Sequence, residues 1–250
     1  MFESARIGGI DLYYQEAGEG PAVVFLHGFG GNHLSWWQQV PTFSEEYRCI
    51  APDQRRFGRS VDGPDGPGVS AFVDDLAALL DHLDVERAAV VGHSMSGWTV
   101  ASFATQYPDR TAALVLSATP GGLLSPERHA ELQEEAGALP EVDPLSPEAE
   151  FLSESISELN VDAPAEWEET RVVLDELSLD PDGIVDAGIP TFLIAGEADQ
   201  FMPPTAVRTL SERLGAEFAI VEGAGHSSNF DRPAEFNRQV RGFLDANAEF

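Results

Sequence analysis

Two serines stand two residues apart in the segment "GHSMSGW", which begins at Gly92 and follows the apolar run "AAVV". A serine hydroxyl attacks a carbonyl carbon only when neighbouring groups activate it. On a sharp strand-to-helix turn, the residues two before and two after the apex face each other closely and must be small. For Ser94 these positions are Gly92 and Ser96, which are both small. For Ser96 they are Ser94 and Trp98, whose indole would clash. We therefore predict that Ser94 is the nucleophile and that Ser96 is a spacer.

An acyl-transfer serine also needs a histidine base, and a carboxylate that fixes the tautomer of that histidine. His226 is well placed, because it follows the last apolar strand in "EGAGHSSNF", where two glycines let the loop bend back. The segment "GEADQFMP", after the preceding strand, offers Glu197 and Asp199. We prefer Asp199 because it lies further beyond the strand end. The predicted chain order is thus Ser94, Asp199, His226, which is typical of one particular fold.

The other five histidines are weaker candidates for the base. His93 adjoins Ser94, but we expect its side chain to project to the other side of the turn. His27 opens "HGFGG" directly after a strand, which indicates a role in shaping that loop. His82 and His129 are expected at the surface, and His33 is given no role.

Short apolar segments alternate with helical patterns, which is typical of an α/β protein with a mostly parallel sheet and helices on both faces. A hairpin with a Gly-Gly turn is predicted in "ARIGGIDLYYQEAGEG", and six further strands follow it, for a sheet of about eight strands. Residues 70–83 show a period of about 3.6, with one apolar helical face. That face consists of Phe72, Val73, Leu76, Leu79, Leu80 and Leu83.

One long segment, residues 121–183, interrupts this alternation. It holds at least five prolines, and eighteen acidic residues against two arginines. An insertion of this length is either functional or disordered. Apolar residues at intervals favour packed helices: Leu132, Phe151, Leu152, Ile156, Leu159, Trp167, Val172 and Leu177. We predict a helical lid over residues 121–183, inserted into a core that residues 1–120 and 184–250 form.

The charge balance is strongly acidic, with 43 Asp and Glu against 14 basic residues and a net charge of −29. All of the basic residues are arginine. A field of this sign repels nucleic acid and anionic lipid, so neither is an expected partner. Acidic residues spread along the chain favour a surface suited to a salty cytoplasm over a dedicated cationic partner, because about 1 M salt screens charges beyond a few ångströms. We predict a lower melting temperature in dilute than in molar salt.

Composition narrows the class of protein further. The start, "MFESARIGG", lacks the basic and apolar stretches of a secretory signal, and no apolar run is long enough to span a membrane. The single Cys49 cannot form an internal disulfide. No zinc-ligand spacing and no nucleotide-binding glycine motif is present. We expect a cytoplasmic protein that acts on a small molecule without a metal or cofactor; the oligomeric state is not readable.

Five motifs in the same order, "HGFGG", "DQRRFGRS", "GHSMSG", "GEADQFMP" and "GAGH", resemble those of α/β-hydrolase-fold serine hydrolases. The resemblance covers nearly the whole chain and is to the lid-bearing group of esterases, lactonases, carbon–carbon hydrolases and cofactor-free perhydrolases. Two departures stand out. Ser96 replaces the glycine that usually ends the elbow, and Arg56 replaces a glycine in the second loop. If that position needs a positive φ, arginine there costs about 1 kcal/mol.

The resemblance implies an oxyanion hole as well as the fold. Its donors would be the backbone N–H groups of Phe29, in the "HGFGG" loop, and of Met95, directly after Ser94. Several large side chains are candidates to line an apolar acyl pocket, although such residues often belong to the plain core. They are Trp98, Trp167, Phe201, Met202 and Phe230.

Three classes of function stay open at this point. The first is a carboxylesterase or lactonase that cleaves small, mostly neutral esters through Ser94. The second uses the same residues for carbon–carbon hydrolysis, cyanohydrin cleavage or perhydrolysis. The third is a non-catalytic ligand sensor on the same scaffold. Epoxide hydrolase and haloalkane dehalogenase chemistry is disfavoured, because those enzymes carry aspartate where this chain has Ser94.

Overall fold

The computed structural model describes residues 2–142, 145–160, 170–171, 173–174 and 179–250. Its strands are β1 (Phe2–Ile7), β2 (Ile10–Ala17), β3 (Ala22–Leu26), β4 (Arg48–Pro52), β5 (Ala88–His93), β6 (Thr111–Ser117), β7 (Thr191–Gly196) and β8 (Glu217–Val221). They form one sheet in the order β1-β2-β4-β3-β5-β6-β7-β8. The pairs β1–β2 and β2–β4 are antiparallel, and the pairs from β4 to β8 are parallel. The predicted α/β class and sheet are confirmed.

Helices cover both faces of this sheet. Among the described residues they include α1 (Val40–Phe43), α2 (Phe72–His82), α3 (Ser96–Gln106), α4 (Pro126–Ala136), α5 (Pro147–Glu158), α6 (Pro181–Asp186), α7 (Pro204–Leu214), α8 (Ser228–Asp231) and α9 (Pro233–Asn247). Alternate residues of β3 enter two separate cores: Val24 packs with Leu80 of α2, and Phe25 packs with Phe236 of α9. Because both faces of the inner strands are covered, the middle residues of these strands are apolar, as is typical of parallel sheets.

The apolar face predicted for residues 70–83 packs against the sheet as α2. Phe72, Leu76, Leu79 and Leu80 are all buried. Val73 and Leu83 are partly buried against the same core. A helix of period 3.6 places these side chains on one stripe, and their burial holds α2 in position.

The loop "DQRRFGRS", which follows β4, is fixed by a buried ionic cluster. Arg55 is 1% exposed and donates to both carboxylate oxygens of Asp75 in α2, at 2.7 and 2.8 Å. Arg55 also donates to Asp62 at 2.6 Å. The next residue, Arg56, has a φ of +71°. This position does require the left-handed region, so arginine there is strained by about 1 kcal/mol relative to glycine.

The described part of residues 121–183 contains α4, α5 and the first half of α6. Leu132 of α4 and Ile156 of α5 are buried, whereas Phe151 is 68% exposed. These helices lie between β6 and β7 in the chain, where the lid is predicted. The division into a core and a lid domain stays a prediction. In the described ranges, none of the helices is long and apolar enough to cross a membrane.

Candidate active site

Ser94 lies at the apex of the sharp turn between β5 and α3, with a φ of +50°. The turn is tight because a Cβ placed on Gly92 would come within 2.6 Å of the carbonyl oxygen of Ser96. The N–H of Ser94 donates to the carbonyl of Ser117 in β6 at 2.9 Å. Positive φ in a residue other than glycine is strained and marks positions that the surrounding structure holds in place. The side chain of Ser94 is thereby presented beyond the sheet edge.

Two further loops at the same edge bring a histidine and a carboxylate to this serine. The Nε2 of His226 lies 2.9 Å from Ser94 Oγ, and its Nδ1 lies 3.0 and 3.1 Å from the two oxygens of Asp199. Asp199 is fully buried, while the His226 side chain is 39% exposed. The N–H groups of Phe201 and Met202 donate to Asp199 Oδ1 at 2.9 and 3.0 Å. These bonds hold the carboxylate against the imidazole.

The alternative carboxylate, Glu197, has a different partner. Its Oε2 accepts a hydrogen bond from the N–H of Gly223 at 3.2 Å. Of the two acids that the sequence offered, the structure therefore brings the preferred one, Asp199, to His226. The geometry is that of a serine whose proton can pass to an imidazole that a buried carboxylate orients.

Two backbone N–H groups near Ser94, those of Phe29 and Met95, are the donors predicted for an oxyanion. Met95 is the N-cap residue of α3, so its N–H has no partner within that helix. The helix dipole adds partial positive charge at the same end. Gly28 approaches closely enough that a Cβ there would lie 3.2 Å from Ser94 Cβ. Phe29 follows directly, so its N–H lies in the segment nearest the nucleophile. The donor roles of Phe29 and Met95 stay predictions.

A cavity of about 160 Å³ opens beside Ser94 and His226. Its walls come from the "HGFGG" loop, from α5, and from the segment that follows His226. Besides Ser94 and His226 they consist of Gly28, Phe29, Gly30, Gly31, Ser35, Trp36, His93, Ser153, Ile156, Ser227, Asn229 and Phe230. Both polar and apolar residues line it, so the cavity is less apolar than a hydrocarbon-binding pocket.

Of the predicted pocket residues, Phe230 lines this cavity. Trp98 is 5% exposed and packs in an apolar cluster with Met95, and Met202 is 1% exposed in the main core. Phe201 packs edge-on against the His226 ring, with centroids 5.5 Å apart. Trp167 lies outside the described residues. Contact of Trp98, Phe201 and Met202 with a substrate stays a prediction.

His93 is a residue whose position the sequence did not reveal. We expected it to project away from the serine, but it lines the cavity beside Ser94. Its ring centroid lies 5.2 Å from that of His226, and its Nδ1 lies 3.3 Å from Ser117 Oγ. His93 is the last residue of β5 and Ser94 already has a left-handed φ of +50°, so strand alternation does not predict the relative directions of these two side chains.

Ser96 does more than give clearance in the turn. Its Oγ donates to the carbonyl of His27 and accepts from Gln54 Nε2 at 2.8 Å. Gln54 Nε2 also donates to the same carbonyl at 2.8 Å. The serine hydroxyl thus links α3 to the loops after β3 and β4. A glycine at this position would lack these bonds.

In the described ranges, no three His, Cys, Asp or Glu side chains cluster so as to hold a metal ion.

Two buried histidines near the site make stability depend on pH. Burial lowers the pKa of His27 to about 4 and, together with the nearby His226, that of His93 to about 3. In the unfolded chain both pKa values return to about 6.5, so the unfolded state binds more protons below that pH. The contribution of these two histidines to the free energy of unfolding is full above about pH 6.5 and is lost as the pH falls below it. Because the unfolded state takes up these protons, we expect each histidine to lower the free energy of unfolding by about 2 kcal/mol when the pH falls from 7 to 5.

Urea unfolding at pH 7 and pH 5, at constant high salt, measures this loss. His93→Gln should lose about 2 kcal/mol less than the wild type between the two pH values. The matched control is His82→Gln, at an exposed position on α2, and it should lose as much as the wild type. Equal losses in the two variants would contradict the assignment.

A mostly parallel sheet of eight strands, with helices on both faces and a serine on the turn after an inner strand, defines an α/β hydrolase. The chain belongs to the alpha/beta hydrolase fold family, whose model matches residues 21–152, more than half of its length. This confirms the resemblance in the motifs, and the protein is a hydrolase.

Individual relatives carry several activities in their names. A 2-hydroxy-6-oxononadienedioate/2-hydroxy-6-oxononatrienedioate hydrolase of Paraburkholderia xenovorans is 29% identical, over 95% of this chain and 91% of its own. A bifunctional esterase/perhydrolase of Acinetobacter calcoaceticus is 35% identical, over 45% of this chain and 42% of its own. Among solved structures, a thermophilic esterase from Thermogutta terrifontis matches with a TM-score of 0.80 at 24% identity, over 100% of both chains. At this identity, the similarity to the Thermogutta terrifontis esterase supports the fold alone.

Proposed function

We propose that the protein is a serine hydrolase that cleaves small, mostly neutral esters or lactones through Ser94, His226 and Asp199. The observation that carries this proposal is the continuous line of contacts from Ser94 Oγ to His226 Nε2, at 2.9 Å, and from His226 Nδ1 to Asp199. Hydrogen-bond distance between a nucleophile and its base, with a third group orienting the base, is the signature of an activated serine.

The proposed mechanism is acyl transfer in two steps. His226 takes the proton of Ser94 as the hydroxyl oxygen attacks the substrate carbonyl, and the N–H groups of Phe29 and Met95 stabilise the oxyanion. The imidazolium of His226 then donates its proton to the leaving alcohol oxygen as the carbon–oxygen bond breaks. Water hydrolyses the acyl-enzyme by the same path in reverse. Asp199 keeps Nδ1 protonated and stabilises the imidazolium in both steps.

Charge and size argue for a small, neutral substrate. None of the residues that line the described cavity is an arginine, and the chain carries a net charge of −29, so a carboxylate on the substrate meets an unfavourable field. The cavity of about 160 Å³ is also smaller than the roughly 300–1,000 Å³ typical of pockets for drug-sized ligands. A short acyl group fits these properties best.

The acyl-length preference tests this function. We expect kcat/KM for p-nitrophenyl esters, measured in molar salt, to be highest for acetate or butyrate and to fall at least about tenfold for octanoate, because the longer chain exceeds the cavity. A preference for octanoate would contradict the small-substrate assignment.

The second candidate function is carbon–carbon hydrolysis or perhydrolysis by the same three residues. It is kept because two relatives are named as a hydrolase of a dienedioate and as an esterase/perhydrolase. If no ester is turned over, product analysis with a diene-ketone acid, a cyanohydrin, or peroxide plus a carboxylic acid separates these reactions. A fluorophosphonate that fails to label Ser94, together with saturable ligand binding, would instead favour the sensor.

A further inference from the structure

One asparagine side chain bridges the end of α5 and two loops beside Ser94. Asn160 follows α5, and its Nδ2 donates to the carbonyl of Gly30 at 2.5 Å. Its Oδ1 accepts from the N–H of Gly58 at 2.6 Å. Gly30 belongs to the "HGFGG" loop after β3, and Gly58 to the "DQRRFGRS" loop after β4. A single amide therefore joins three segments that are far apart in the sequence.

A second asparagine makes the reciprocal contact from the core to the lid. Asn32 is 1% exposed, and its Nδ2 donates to the carbonyl of Ile156 in α5 at 3.0 Å. Its Oδ1 accepts from the N–H of Leu34 at 3.0 Å and caps the short 3-10 helix His33–Trp36. Ile156 itself is 4% exposed and lines the cavity. In such a buried setting an unpaired amide is costly, so these bonds favour one position of α5.

We propose that Asn160 and Asn32 latch α5 onto the "HGFGG" loop, and that Asn160 is thereby a positioning residue for the reaction. This inference rests on the proposed function, since it concerns the donor assigned to Phe29. Gly30 has a φ of +74°, and glycine leaves any one conformation more readily than other residues do. The bond from Asn160 to its carbonyl restrains the backbone next to Phe29, and with it the direction of the Phe29 N–H.

The latch couples the position of the lid to chemistry. Oxyanion donors are effective only when they are aimed before charge develops, because reorienting them during the reaction costs free energy. When α5 is docked, Asn160 holds the Gly30 carbonyl and the cavity wall at Ile156 is complete. When α5 moves away, the restraint on Phe29 is lost together with that wall. Under this proposal, turnover depends on the docked position of α5.

The test compares Asn160→Ala and Asn160→Asp with the wild type in molar salt. Aspartate retains an acceptor for the Gly58 N–H but cannot donate to the Gly30 carbonyl. The matched control is Ser155→Ala, which removes a bond from Ser155 Oγ to the Phe151 carbonyl within α5 and touches neither loop. Two readouts are taken: hydrogen exchange of the backbone amides in residues 28–33, and kcat and KM for p-nitrophenyl acetate after subtraction of the Ser94→Ala rate.

We expect both Asn160 variants to speed exchange at residues 28–33 and to lower kcat by about 10- to 100-fold, with KM changed less than about threefold. Ser155→Ala should match the wild type in both readouts. Unchanged exchange in Asn160→Ala overturns the latch, whatever the activity. Faster exchange with an unchanged kcat, or with an effect confined to KM, overturns the positioning role. A wild type without Ser94-dependent turnover contradicts the proposed function instead, and the exchange result still decides the latch.

Discussion

Ser94→Ala is expected to lower the turnover of p-nitrophenyl acetate by at least about 1,000-fold, because no other oxygen can form the acyl-enzyme in its place. The residual rate comes from water that the remaining site activates. The variant should fold normally, since alanine is smaller than serine and the N–H bond to the Ser117 carbonyl is retained. Steady-state kinetics in molar salt and the melting temperature measure the two effects together.

The control for this variant is Ser96→Ala, which tests the other serine of the motif. Ser96 Oγ is engaged with the His27 carbonyl and with Gln54, so its loss should lower the melting temperature. Turnover should stay within about tenfold of the wild type, since the hydroxyl does not face the substrate. A Ser96→Ala variant as inactive as Ser94→Ala, with a normal melting temperature, would reverse the assignment of the nucleophile.

Asp199→Asn is expected to lower kcat by about 10⁴-fold while leaving the fold intact. The N–H groups of Phe201 and Met202 both donate to Oδ1, so the amide oxygen is held there and the NH₂ group turns towards His226. His226 Nδ1 must then accept a hydrogen bond, and the proton moves to Nε2. A protonated Nε2 donates to Ser94 Oγ and cannot take its proton.

Glu197→Gln provides the matched control for this prediction. It removes a carboxylate two residues away, whose partner is the Gly223 N–H rather than His226. We expect its kcat to stay within about threefold of the wild type. The rate of Ser94 labelling by a fluorophosphonate should fall in Asp199→Asn and not in Glu197→Gln. Equal effects of the two substitutions would show that the charge of the loop, rather than its contact with His226, supports catalysis.

Much of the fold follows from local patterns in the chain. The alternation of apolar strands with helices of period 3.6 predicts a mostly parallel sheet covered on both faces, because each element must bury its apolar side. The choice of Ser94 over Ser96 is local as well, since it depends on the size of residues two positions away. The presence of Arg56 in a short motif, in place of glycine, raised the question of a left-handed backbone there, and the structure answers it with a φ of +71°.

Other features depend on which distant segments meet. Trp98 and Phe230 are both large apolar side chains after strand ends, and nothing in the pattern distinguishes them. Phe230 nevertheless lines the cavity, while Trp98 packs into a core cluster. The side chain of His93 lines the cavity at the end of β5, next to the left-handed turn at Ser94, which regular strand geometry does not describe.

The sequence by itself determined the class of fold, and it predicted Ser94 as the nucleophile and the chain order of its proposed partners, because steric limits and periodicity act over a few neighbouring positions. Only the tertiary structure shows the contact of the preferred acid, Asp199, with His226, and the contact of Asn160 with Gly30 across 130 positions of the chain. Such contacts depend on how loops pack at one edge of the sheet. Hydrogen bonds between segments so far apart produce no periodic pattern of residue types from which they could be predicted.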